Sequence, residues 1–414
     1  MPHDWIVLAV FVAVYVGMAL GRWPGLAVDR TGVAMIGAII LLVTGAVDGA
    51  AAFASVDFPT LSILFTLMVL SGQFAVSGLF ARIAAGLASH GRSPRVLLAL
   101  VIAAGGGLSA LLTNDVVVWA MTPLLIGGLC RRGLDARPYV IALACAANAG
   151  SAATLIGNPQ NLLIGESGGL AFWPFVLACL PPALLALVVV HIVVSCSRMF
   201  PAGNAGAVAP APEPKPVTLD RPALTKAIAA TLAVLAIFTL TEDRGLWSLG
   251  VAAALLLSRS RGTRQLLGEV DWPLLLLFAG LFVVTGALGD SAMMRDWTGA
   301  LPDPRSLGSI AAVSLAGSNT IGNVPLVMLL LSIVPGWTTE TLHALSLFST
   351  LSGNFLIVGS VANIIAVERA RALGVAIGFR DYARIGVPVT LASLAVAYGW
   401  MSLVYPWLAR VAPF

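Results

Sequence analysis

Charge is what this chain has least of. Only 10% of its 414 residues are Asp, Glu, Lys or Arg, against about 25% in ordinary soluble domains, while 59% are apolar. A globule with so little polar surface does not stay in water. A soluble enzyme, a disordered chain and a fibrous one are therefore excluded, and a polytopic α-helical membrane protein is expected. Basic tracts are also missing. The formal charge of +4 is scattered over short loops, which leaves no electrostatic footprint for a nucleic acid partner. Cysteine is scarce: Cys130, Cys145, Cys179 and Cys196 form no CxxC pair and approach no His cluster. They read as free thiols in or beside apolar runs, not as a metal site or a disulfide framework, and no cofactor is implied. No GxxxxGK[ST] occurs, which argues against ATP-driven pumping. No His/Asp/Glu cluster or nucleophile–base pair marks an enzyme. Met1 to Asp4 carries no Lys or Arg, so the first apolar run lacks a signal peptide's basic leader and is read as a membrane helix.

What is present is a succession of apolar runs. A spanning helix needs about 20 mostly apolar residues. Candidate runs fall near 5–20, 31–47, 60–77, 96–112, 116–130, 138–165 and 171–194. A second set falls near 223–240, 245–258, 272–289, 306–317, 324–335, 341–365 and 385–407. Between the sets, 199–222 carries six prolines, from Pro201 to Pro222. Such a stretch neither continues a helix nor buries a core, so it is a linker between two halves, 1–198 and 223–414.

Basic loops stay cytoplasmic. Arg22 and Arg30 follow the first span, 48–59 has no base, and Arg82, Arg92 and Arg95 follow the third. These place the N-terminus outside. The stretch 96–130 begins and ends on basic residues, with Arg131, Arg132 and Arg137 after it. Its arms, about 17 and 15 residues long, barely cross about 30 Å at 1.5 Å per residue. It is therefore read as a re-entrant hairpin from the cytoplasm, with its polar tip at Thr113-Asn114-Asp115. Carried to the end, this topology puts the linker inside, both termini outside, and 19 of the 23 basic residues inside with Arg244, Arg295, Arg305 and Arg410 outside.

The halves repeat. Asp57-Phe58-Pro59 returns as Asp271-Trp272-Pro273, 214 residues on, and Thr113-Asn114-Asp115 returns as Ser318-Asn319-Thr320 at an offset of 205. Leu155-Ile156-Gly157…Asn161 returns as Ile357-Val358-Gly359…Asn363 at an offset of 202. Five spans plus one hairpin per unit is an odd number of crossings, so the second copy is inverted and its hairpin, 306–335, enters from outside. Inverted repeats with interrupted helices are the signature of secondary transporters.

Four polar breaks interrupt the apolar runs. They are the first tip (Thr113, Asn114, Asp115); the break in 138–165 (Asn148, Ser151, Thr154, Asn158, Gln160, Asn161); the second tip with the start of its outgoing arm (Ser318, Asn319, Thr320, Asn323); and the break in 341–365 (Asn354, Ser360, Asn363). Unwound backbone at membrane depth is tolerated only where it lines a cavity or faces protein. Amides and hydroxyls supply donors and acceptors without fixed charge. Four such clusters, paired by the repeat, point to a substrate site rather than to polar glue between helices. Asp115 is the one carboxylate placed deep in the membrane, and such acids are costly and functional, so it is the candidate proton-coupling group. Glu166, Asp290 and Glu368 fall near predicted helix ends and read as interfacial. No Lys or Arg falls inside the predicted core, which suits a neutral polyhydroxy solute better than a dianion.

At these residues the chain resembles a family. Leu112-Thr113-Asn114-Asp115, the run from Ala147 to Leu162, Gly322-Asn323-Val324-Pro325 and Gly359-Ser360-Val361-Ala362-Asn363 look like the arsenite permease (ArsB) and plant silicon-efflux branch of the ion-transporter superfamily. The same superfamily includes sodium-coupled dicarboxylate symporters, NhaD-type antiporters and the melanosomal P protein. The resemblance implies an elevator-like fold of two inverted repeats, often a homodimer, in the inner membrane of a prokaryote. It also implies that Asn114, Asp115, Asn158, Asn161, Asn319, Asn323 and Asn363 carry the site. The dicarboxylate symporters have Ser-Asn-Thr at both tips, whereas the first tip here is Thr-Asn-Asp, which favours protons over two sodium ions. The expected activity is proton-coupled export of a small inorganic solute such as arsenite, antimonite or silicic acid. The rivals are sodium-driven uptake of a dicarboxylate or sulfate, and a passive channel.

Overall fold

Asp caps and prolines start most of the long helices. The computed structural model describes residues 2–21, 23, 25–89, 93–200, 218–257, 263–291 and 305–411. The interior of the Pro-rich linker, 201–217, lies outside the described residues, as do Arg22, Arg92, Arg259, Arg261 and Arg295. Among the described residues there is no strand; every element is a helix. In the first half these are α1 (Pro2–Leu20), α2 (Arg30–Val43), α3 (Gly49–Ser55), α4 (Phe58–Ser77), α5 (Leu79–Ser89), α6 (Pro94–Leu111), α7 (Asn114–Arg131), α8 (Arg137–Ser151), α9 (Pro159–Ser167) and α10 (Phe172–Cys196). The second half has α11 (Arg221–Leu240), α12 (Arg244–Leu256), α13 (Thr263–Leu267), α14 (Trp272–Gly289), α15 (Leu307–Ser318) and α16 (Asn323–Ile333). It continues with α17 (Thr339–Ser352), α18 (Val361–Ala372) and α19 (Phe379–Gly399), which runs through a π-helical turn, Trp400–Val404, into α20 (Tyr405–Val411).

Asp29, Asp57, Asp243 and Asp271 each accept a hydrogen bond from a backbone N–H three residues on, capping α2, α4, α12 and α14. A carboxylate there satisfies an orphan donor and sits at the positive end of the helix dipole. This is what the repeated Asp-aromatic-Pro signature does: Pro59 and Pro273 occupy the first turn, where the missing N–H costs nothing.

Among the described residues, six helices are long and apolar enough to cross a membrane: Phe58–Ser77, Pro94–Leu111, Phe172–Cys196, Arg221–Leu240, Trp272–Gly289 and the Phe379–Val411 assembly. Their outward faces carry large apolar side chains, such as Leu184, Val188 and Ile192 on α10 and Leu232 on α11. Water would not tolerate this surface, but hydrocarbon does.

Two sequence expectations need adjustment. The arms of the first hairpin are 18 residues each, not 17 and 15, because Pro94 and Asn114 begin their helices earlier than the apolar runs do. At about 27 Å each they almost match a bilayer, so their length no longer argues for re-entry. The arms of the second hairpin, 12 and 11 residues, are short. The stretches 48–59, 78–95 and 259–271 also contain helices, α3, α5 and α13, that apolar runs do not announce. Residues 152–158 separate α8 from α9, and 353–360 separate α17 from α18.

The packing is reciprocal between the halves. α4 lies on α12, and α14 lies on α2. α3 touches α14, and α13 touches α4. α6 packs on α8 as α15 packs on α17, and α7 packs on α18 as α16 packs on α9. Where α6 crosses α8, a methyl group on Gly150 would fall onto the backbone of Gly106. Close approach of this kind is what small residues provide between membrane helices.

Candidate functional site

Breaking a helix in the middle of a membrane protein strands the carbonyls of its last turn. Each break here is closed by one asparagine. Asn161 donates its Nδ2 to the carbonyls of Ser151 (3.0 Å) and Thr154 (3.2 Å). Asn363 donates its Nδ2 to the carbonyls of Gly353 (2.6 Å) and Leu356 (3.2 Å). In both cases the acceptors lie ten and seven residues back. An amide suits the task because its NH2 carries two donors.

The oxygen of each staple faces the other half. Asn161 Oδ1 accepts from Ser346 Oγ (2.7 Å) and Thr350 Oγ1 (3.0 Å) on α17. Asn363 Oδ1 accepts from Asn148 Nδ2 (3.0 Å) on α8. Asn148 is the hub of this network. Its Nδ2 also reaches Asn354 Oδ1 (2.8 Å), and its Oδ1 accepts from Asn114 Nδ2 (2.8 Å) and Ser360 Oγ (3.0 Å). Asn354 continues to the carbonyl of Cys145 (3.1 Å), and Gln160 Nε2 reaches Thr350 Oγ1 (2.7 Å) and Ser349 Oγ (3.2 Å). Asn148, Gln160, Asn161, Asn354 and Asn363 are all fully buried, and no described Lys or Arg is among their partners.

Each hairpin tip is tied to the break in its own half. The N–H of Asn114 donates to the carbonyl of Gly157 (3.1 Å) and Thr154 Oγ1 to that of Ala110 (2.6 Å). Asn319 Nδ2 donates to the carbonyls of Leu315 and Ser352, 2.9 Å each, and its Oδ1 accepts from the N–H of Leu356 (3.1 Å). Gly157 permits the first contact: a Cβ there would stand 2.6 Å from the Ser151 oxygen and 2.7 Å from the Ser109 oxygen. The second tip turns on Gly322, with φ of 99°, a backbone that side-chain-bearing residues avoid. In both halves the first asparagine of the outgoing arm, Asn114 or Asn323, accepts from the next backbone N–H at 3.0 Å.

The remaining sequence candidates are distributed around this network. Ser151 Oγ donates to the Asn148 carbonyl (2.8 Å) and accepts from Asn158 Nδ2 (3.3 Å). Ser318 Oγ faces the Ser349 carbonyl at 3.4 Å. The Thr113 hydroxyl is buried without a partner among the described residues. Thr320 is exposed and donates back to Ala316 (2.7 Å). Asp115 stands apart: it lies in the first turn of α7, is part-buried, and its carboxylate has no hydrogen-bond donor among the described residues.

Ser346, Ser349 and Thr350 are the site residues that the breaks alone do not reveal. Their signal is visible afterwards, as hydroxyls recurring at helical spacing in an otherwise apolar α17. Cys145 is a packed thiol, 3.7 Å from the Tyr382 hydroxyl. Trp119, one turn beyond Asp115, carries the Arg369 guanidinium over its ring at 4.0 Å. The charged groups near the helix ends include one part-buried ion pair. Arg244, at the start of α12, bonds Glu166 at the end of α9 (3.1 Å) and the carbonyl of Leu170 (2.9 Å). In the turn before α8, partial burial pushes the Asp135 carboxyl up, but the hydrogen bonds and charge of Arg137 at 2.7 Å outweigh it and hold the carboxyl below its usual range. None of the candidate polar residues lines the 520 Å³ cavity between α14, α9, α16 and α17, whose polar groups include Ser167, Thr285 and Thr339.

Comparison with known proteins agrees with this architecture. Residues 6–344 match the citrate transporter family CitMHS. The chain is 30% identical to the inner membrane protein YbiR of Escherichia coli, over 83% of this chain and 88% of that one. It is 26% identical to the silicon efflux transporter LSI3 of rice, over 90% and 92%, and 29% identical to a 46 kDa membrane protein of Mycobacterium leprae, over 96% and 98%. The crystal structure of the Alcanivorax borkumensis YdaH transporter shares the fold, with a TM-score of 0.55 at 16% identity over 99% of this chain and 98% of that one.

Proposed function

The chain belongs to the CitMHS citrate transporter family, and from that premise we propose that it is a proton-coupled secondary transporter exporting a small hydroxylated metalloid such as arsenite, antimonite or silicic acid. It is a membrane transporter and not an enzyme, as its relatives are. The observation that carries the finer reading is Asp115, a carboxylate at a hairpin tip, in the first turn of α7, with no described donor holding it. A carboxylate locked by protein donors has no reason to exchange a proton, whereas one left open beside a positive helix end can alternate between proton and solute.

The amide network supports a neutral cargo. Its asparagines satisfy one another, so they set the geometry of the breaks and leave binding to the tips: Asp115, Thr113 and Thr320, with Asn158 and Asn323 behind them. Solute hydroxyls would meet donors and acceptors there, and no described Lys or Arg hydrogen-bonds these groups. Similarity to a silicon efflux transporter supports the metalloid class.

The reciprocal packing of α4 on α12 and α14 on α2, together with staples repeated at one offset, supports two units of opposite orientation. The hairpins and broken helices then move as a core against α1–α4 and α11–α14. In proteoliposomes, an imposed pH gradient should drive arsenite or silicic acid uphill, and Asp115→Asn should abolish the coupled flux while leaving expression intact. Full coupled flux in that variant sinks the proton role of Asp115, and coupling to sodium alone sinks proton coupling itself.

A further inference from the structure

The two halves share a sequence plan, but at one place they differ in contact. Arg30 and Arg244 open α2 and α12, 214 residues apart and each behind a capping Asp. Glu166 and Glu368 lie in the C-terminal halves of α9 and α18, 202 residues apart, the same offset that relates the two staples. In one such pairing, Arg244 bonds Glu166 at 3.1 Å, with both side chains only 12% exposed. The other pairing is not made: Arg30 Nε donates instead to the carbonyl of Met18 (3.1 Å), and Glu368 is exposed.

The neighbouring packing is lopsided in the same sense. α9 seats against α4, whereas α18 makes no comparable contact with α14. The first break, 152–158, is buried throughout, while Phe355 to Val358 in the second are partly open. One broken helix is thus docked on the framework by a charged clasp, and its counterpart is undocked with both halves of the same clasp apart.

We propose that Arg30 and Glu368 form the ion pair of the oppositely facing state, in exchange for the Glu166–Arg244 pair made here. This rests on the reading of two inverted units. In such a protein the opposite-facing state is reached when the halves trade conformations, so a contact made by one half is made by the other after the exchange. The four side chains then act as positioning residues: each pair holds one end of the core closed, and neither touches the solute. The exchange also keeps the number of buried charges constant, because one clasp opens to water as the other leaves it.

Disulfide trapping tests this without knowledge of the solute, so it stands or falls separately from the metalloid reading. The protein is used full-length in native membranes, with the exposed Cys130 and Cys196 replaced by Ser. Arg30→Cys/Glu368→Cys should cross-link under mild oxidation. Adding Glu166→Gln, which weakens the clasp made here, should speed that cross-link by about fivefold through the shift in population alone. No cross-link in the double-cysteine protein, or a rate indifferent to Glu166→Gln, overturns the proposal. Should the cysteine variants fail to accumulate, the charge exchange Arg30→Glu/Glu368→Arg replaces them. Recovery of the single variants' lost melting temperature in the purified protein supports the pairing, and a melting temperature no better than the sum of the singles' losses predicts refutes it.

Discussion

Removing the Asn148 side chain should cost more than any other single change in the polar core. Asn148→Ala deletes four hydrogen bonds: two donated, to Asn354 and Asn363, and two accepted, from Asn114 and Ser360. The four partner atoms, Asn354 Oδ1, Asn363 Oδ1, Asn114 Nδ2 and Ser360 Oγ, have no second partner among the described residues, and all four residues are buried. Polar contacts between membrane helices average about 0.6 kcal/mol, which sets a floor of roughly 2.4 kcal/mol for four. At about 1 kcal/mol per stranded group the loss reaches roughly 4 kcal/mol. The assay is equilibrium unfolding of the purified protein in mixed micelles. Asn363→Ala, which loses the same hub contact, should be strongly non-additive with Asn148→Ala. A loss under about 0.5 kcal/mol, or simple additivity, refutes the hub.

Gly157→Ala should prevent stable folding or displace the first tip, since its Cβ meets backbone oxygens at 2.6 and 2.7 Å, whereas Gly127→Ala in open space on α7 should stabilise by about 0.5–1 kcal/mol; the melting temperatures of the two variants decide it. Thr350→Val removes a donor to Asn161 and an acceptor for Gln160 and should cost about 1–2 kcal/mol in the same unfolding assay. The half-exposed Asp135–Arg137 pair stabilises little, about 0.5 kcal/mol or less after screening. Because the Asp135 pKa is depressed in the fold, that contribution is present above about pH 4 and fades as pH falls through the folded value. Asp135→Asn should therefore flatten the acid side of the stability profile, and an unchanged acid limb argues against the pairing. Impermeant thiol reagents applied to intact cells should label Phe58→Cys and not Trp272→Cys if the two units point opposite ways; equal labelling means they do not.

Much of the architecture was legible in the sequence because membrane depth leaves few options. Apolar runs long enough to span must be helices, and polar, glycine-bearing interruptions within them read as breaks. The Asp-aromatic-Pro repeat marked α4 and α14 because a cap and a first-turn proline are local chemistry. The short helices α3, α5 and α13 were not legible, since they are held by packing against α14, α7 and α4 and not by their own periodicity. The fate of the asparagines was hidden too. Composition says that Asn148, Asn161, Asn354 and Asn363 are polar at depth, but only three-dimensional contact shows them satisfying one another. Asp115, at its tip, has no such donor among the described residues, which is why the proposed proton role falls on it. The Glu166–Arg244 clasp joins residues 78 positions apart in sequence, and no local pattern announces it.

The most direct test is solute movement against its own gradient in proteoliposomes carrying only this protein, under an imposed pH difference at zero sodium. Accumulation of arsenite or silicic acid that collapses when a protonophore is added is the predicted result. Movement that only ever runs downhill, or that requires sodium and ignores pH, contradicts the account.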